Sequence, residues 1–84
     1  MGAGIYWRFM RPITGRELDV RNPNSFREMM ERAFRSPPPW VLDQTHLERL
    51  QGMAAVFPDG APNPFKELAE AVAKGTPVEV YLEY

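Results

Sequence analysis

Apolar and polar residues alternate at both ends of the chain and recur with helical spacing between them. In "IYWRFM" at 5–10, Ile5, Trp7 and Phe9 fall on one side and Tyr6, Arg8 and Met10 on the other. Period two with aromatic enrichment predicts a β-strand, and Pro12 marks where ladder pairing stops. A turn through Thr14-Gly15 would carry the chain into a short second strand at 17–20. Near the C-terminus "VEVYLE" alternates again. Val78, Val80 and Leu82 oppose Glu79, Tyr81 and Glu83.

Three stretches between these strands follow the helical period. Phe26, Met29, Met30, Ala33 and Phe34 form one stripe, begun by Asn24 or by Ser25 with Glu28 as a capping box and ended by "SPPPW". A second helix is predicted over about 45–56, with Leu47, Leu50, Ala54 and Phe57 inward. Thr45 and Glu48 would cap it, with Asp43 as an alternative cap. After the breaker-rich "PDGAPNP", Asn63 caps a third helix with Pro64 in its first position; Phe65, Leu68, Ala69 and Val72 face inward, and Lys74-Gly75 suits its end. The pattern predicts an α+β fold: one small two-layer domain spanning residues 1–84, its terminal β-strands paired and packed on three α-helices. Pairing of the end strands would bring Tyr6, Arg8 and Met10 beside Glu79, Tyr81 and Glu83 on the outer face, where Arg–Glu and Tyr–Tyr pairs would stabilise it.

Residues 23–31, "PNSFREMME", resemble 62–70, "PNPFKELAE". Each shared residue has a local reason to sit at a helix start: an N-cap, a tolerated proline, the first core phenylalanine, and acid near the positive helix end. The likeness therefore reads as helix-starting chemistry written twice, and the strand before the first copy has no counterpart before the second.

Composition narrows the function classes. At 84 residues, with 44% hydrophobic and 25% charged residues, the chain reads as an ordinary folded domain with a thin stability margin. It has no cysteine, so disulfides and thiolate metal sites are excluded, and a reducing cytoplasm is the expected location. The segment "MGAGIYWRFMRP" lacks the basic-then-apolar pattern of a secretory leader, and no apolar run is long enough to span a membrane. His46 is the sole histidine, with no ligand set at metal spacing around it, so no metal is expected. Ser25 and Ser36 both lie at helix ends. No nucleophile elbow or phosphate loop is present, and the carboxylate pairs Glu28/Glu31 and Glu67/Glu70 suit solvated helix faces. No catalytic residue and no cofactor is expected.

Net charge is −1, but residues 1–35 hold seven arginines against four acidic residues, whereas the remainder is acidic. "YWRFMR" interleaves aromatics with arginines, as single-stranded nucleic-acid binders do, which would use Arg8, Arg11, Arg16 and Tyr6. The overall charge is not basic, which favours a protein partner, or self-association through a sheet edge, over nucleic acid. The expected partner-binding residues are Tyr6, Arg8, Met10 and Tyr81 on the outer sheet face and Trp40 after the proline run, in an accessory, regulatory, inhibitor or immunity-type protein.

Overall fold

The computed structural model describes residues 4–57 and 62–83. The chain forms β1 (Gly4–Met10), β2 (Ile13–Glu17), α1 (Pro23–Phe34), β3 (Trp40–Leu42), a 3₁₀ turn (Gln44–His46), α2 (Leu47–Ala55), α3 (Pro64–Ala73) and β4 (Val78–Glu83). The expected α+β architecture holds. A four-stranded antiparallel sheet of order β2-β1-β4-β3 backs onto the three helices.

The terminal strands are the two central ones. Trp7 pairs with Val80, Tyr6 with Tyr81 and Arg8 with Glu79. Period two then sends Ile5, Trp7, Val78 and Val80 to the helix side, where they are buried with Trp40 and Leu42 of β3. The helices answer with Phe26, Met30, Leu50, Phe65, Leu68 and Val72, all at most 1% exposed. Phe26 stacks on Phe65 with ring centroids 5.2 Å apart, and its other neighbour, Trp40, meets it edge-on at 6.4 Å. These two phenylalanines tie the first helix to the third.

The structure corrects four details. The hairpin turns at Arg11-Pro12, so β2 occupies 13–17 and not 17–20, and Gly15 lies inside the strand. Proline's fixed φ and missing N–H suit the turn better than they suit a ladder position. β3 was not expected, because three residues are too few for alternation to register. At α1 the cap is Asn22, whose side chain accepts from the Ser25 N–H at 3.2 Å, with Pro23 in the first turn. Ahead of the second helix the cap is Asp43, at the start of the 3₁₀ turn that leads into α2, not Thr45. Its carboxylate accepts from the Thr45 N–H at 2.9 Å, while the Asp43 N–H donates to His46 Nδ1 at 3.1 Å.

Both α1 and α3 therefore begin Asn-Pro, and Asn63 accepts from the Lys66 N–H at 3.2 Å as Asn22 does from Ser25. The matching stretches of sequence are not superposable on that basis. Phe26 follows its cap by four residues and Phe65 by two. Residues 58–61 of the expected loop lie outside the described residues.

Candidate functional site

All three helices pack on one side of the sheet, so the other side is open. The register places its side chains in rows. Glu17, Tyr6 and Tyr81 form one row; Gly15, Arg8, Glu79 and Val41 form the next; Ile13 and Met10 end the face. Four of the five expected partner-binding residues, Tyr6, Arg8, Met10 and Tyr81, share this surface.

Its centre is a cross-strand cluster. Tyr6 and Tyr81 stack at 6.0 Å with planes 24° apart. Arg8 Nε donates to Glu79 Oε1 at 2.7 Å, and the guanidinium lies 5.2 Å from the centre of the Tyr81 ring. The Tyr81 side chain leans over β1 toward β2, where a Cβ on Gly15 would stand 3.5 Å from its hydroxyl oxygen. Gly15 thus leaves open the ground over which Tyr81 reaches. Stacking, cation–π contact and the ion pair hold the cluster without helix cover.

Around this centre the face has two characters. At one end Ile13 is 74% exposed, Met10 39% and, across Glu79, Val41 55%. At the other end Glu17 and Glu83 are exposed. Beside Tyr81 the face runs into a groove of about 480 Å³ lined by Arg8, Arg27, prolines 37–39, Glu79 and Leu82. The proline run walls this groove because β3 pairs only with residues 78–80, leaving the far half of β4 without a strand on that side.

Trp40 does not belong to the surface. It is 3% exposed and donates from Nε1 to the Ser36 carbonyl at 2.9 Å. Position 40 pairs with Val80, which turns its side chain to the helix side. Its large apolar body is core, and its polar tip is satisfied locally.

Nor do the arginines of the N-terminal region gather on one face. Arg8 is paired with Glu79, Arg11 lies in the exposed turn, and Arg16 turns to the helix side, 5.7 Å from the centre of the Trp7 ring. Two large apolar members of the open face escaped the sequence reading. Ile13 would have followed from alternation once the turn was placed at Pro12. Val41 had no signal, since its strand is three residues long.

His46 serves as a capping acceptor. The exposed Asp43 carboxyl is held below its ordinary pKa, chiefly by its hydrogen bonds from the Thr45 hydroxyl and N–H. Among the described residues no three His, Asp or Glu side chains form a metal-binding group, and no helix is long and apolar enough to cross a membrane. No protein-family model matches the chain, and neither a curated protein nor a solved structure matches it.

Proposed function

We propose that this is a cytosolic, non-enzymatic protein-binding module, an accessory, regulatory or inhibitor-type factor that engages its partner through the open sheet face. The observation that carries this reading is the juxtaposition on one uncovered face of Ile13, Met10 and Val41 with the Tyr6–Tyr81 stack. An apolar patch beside rigid aromatic rings is what the buried centre of a protein interface needs. Charge then selects the partner. Glu17, Glu79 and Glu83 share the face with one arginine, which Glu79 already neutralises. The matching surface is apolar with basic side chains at its border.

The same charge count argues against single-stranded nucleic acid on this face. A strand tracking Tyr6 and Tyr81 would run its phosphates past Glu17 and Glu83, with Arg8 committed to Glu79.

The test is affinity capture from cell extract with the wild-type chain and with Ile13→Lys and Met10→Lys, which place like charge against a basic-rimmed partner. A partner lost from both variants and kept by Lys74→Gln, on the other side of the sheet, is the expected result. Equal capture by all four chains refutes the reading. Salt-sensitive binding of single-stranded RNA that Arg8→Glu abolishes would replace it with the nucleic-acid one. Sedimentation of the isolated chain checks whether the partner is a second copy.

A further inference from the structure

The helix layer stops short of β2. All five β2 residues are exposed, including Thr14 and Arg16, whose side chains point to the helix side. Between β2 and α3 this leaves a cleft of about 580 Å³, within the size range of small-molecule sites. It lies across the sheet from the open face and is independent of the function proposed for that face.

Three cations line the cleft: Arg16 from β2, Lys66 from the first turn of α3 and Lys74 from its end. Among the described residues none of them has an ion-pair partner. Two of them are instead held against aromatic rings. Arg16 lies over Trp7, and Lys74 Nζ is 5.6 Å from the centre of the Phe9 ring. Trp7 and Phe9 pack edge-to-face at 5.0 Å, so the two cations rest on one aromatic pair. A cation–π contact positions a cation but consumes none of its N–H donors.

The two carboxylates of the cleft cancel these charges only in part. Glu67 accepts from Trp7 Nε1 at 2.7 Å, which ties its carboxylate to the cleft's inner wall. Among the described residues Glu70 is the one lining carboxylate with no hydrogen-bond partner. Three cations with free donors therefore face two carboxylates, one of them turned to the Trp7 indole, an excess of one positive charge. The positive excess favours an anion, and three sets of uncommitted donors suit one with several acceptor oxygens, as a phosphate monoester has, at about −1.5 to −2 at neutral pH. The planar Arg16 fork suits phosphate oxygens, with the lysines as point charges beside it. Trp7 and Ala71, 3% and 4% exposed, close the inner side of the cleft, toward which an organic body attached to the phosphate would point.

We propose that this cleft binds a small organic phosphate monoester. The phosphate sits among Arg16, Lys66 and Lys74, and the organic group lies toward Trp7.

The test is an NMR titration of the full chain with phenyl phosphate, inorganic phosphate and benzoate. Phenyl phosphate is expected to give saturable shifts at the amides of residues 16, 66 and 74, weakening with added salt. Arg16→Gln and Lys74→Gln should each weaken it about tenfold, the loss of one charge-assisted contact. Glu70→Gln should tighten it, an opposite sign that a damaged fold would not produce. Inorganic phosphate binding as tightly as phenyl phosphate would overturn the organic-ester assignment, and equal binding of benzoate would overturn the choice of phosphate. Shifts that fail to saturate, or an affinity unchanged in Arg16→Gln, would overturn the site.

Discussion

Tyr81→Ala separates folding from binding on the open face. The substitution removes the stack with Tyr6 and the ring under the Arg8 guanidinium. Such an aromatic pair contributes about 0.5–1.5 kcal/mol beyond its area, and an exposed cation–π contact about 0.5–1 kcal/mol. The expected cost is therefore about 1–2.5 kcal/mol. At roughly 0.05–0.15 kcal/mol per residue, an 84-residue chain has about 4–13 kcal/mol of stability. Tyr81→Ala should thus fold, with Tm lower by about 4–20 °C. Trp40→Ala is the contrast, since truncating a buried tryptophan costs about 3–5 kcal/mol. If Tyr81 is a binding hot spot, its loss costs about 2 kcal/mol or more of affinity, near 30-fold. The assay pairs a urea melt with the capture experiment. A folded variant that no longer retains the partner is expected. A stability loss above about 4 kcal/mol would show Tyr81 to be a core element, by the same scale that applies to Trp40. A folded variant with undiminished capture would remove Tyr81 from the binding surface.

Gly15→Ala should stabilise the chain by about 0.4–1 kcal/mol, because its backbone is not left-handed and the new Cβ meets only the Tyr81 hydroxyl at van der Waals distance; destabilisation in a thermal melt would contradict this. Arg35 ends α1 in the left-handed region at φ 54°, so Arg35→Gly should raise stability by up to about 1 kcal/mol, whereas Gly75→Ala, at φ 98°, should lower it by about 1–2 kcal/mol. Denaturant midpoints moving in the same direction for both would count against this account. Asp43→Ala should destabilise the start of α2 at neutral pH. Because folding lowers the Asp43 pKa, its contribution is present above the unfolded value of about 4 and disappears as pH falls through the folded one. Melts of wild type and variant should converge in acid, and a gap that widens there would reverse the sign.

Much of the architecture was legible because each element carries a pattern of its own. The alternation of Ile5, Trp7 and Phe9 against Tyr6, Arg8 and Met10 placed β1 correctly and, with β4, anticipated a Tyr–Tyr and an Arg–Glu pair on the outer face; the register makes them Tyr6–Tyr81 and Arg8–Glu79. Caps were harder to place. Asn22, Asn24, Ser25, Asp43 and Thr45 are all competent acceptors, and which one acts depends on where the incoming chain ends, a tertiary fact. Trp40 was misplaced for a related reason. Three prolines hid the short strand it begins, and without β3 there was no parity to send its ring inward. The cleft beside Arg16 depends on how far the helix layer extends over the sheet, which no single element records.

The two strands at the middle of the sheet come from opposite ends of the described chain, and 71 residues separate Arg8 from Glu79. During synthesis β4 is made after the β1–β2 hairpin and all three helices, and it leaves the ribosome after them. Until then the apolar sides of Trp7 and Ile5 lack one neighbour, and β3 has nothing to pair with. The fold closes like a belt whose buckle is made last. Any event that stops translation before Val78 therefore yields a chain lacking one of its two central strands, one expected to be cleared rather than to act as a shortened binder.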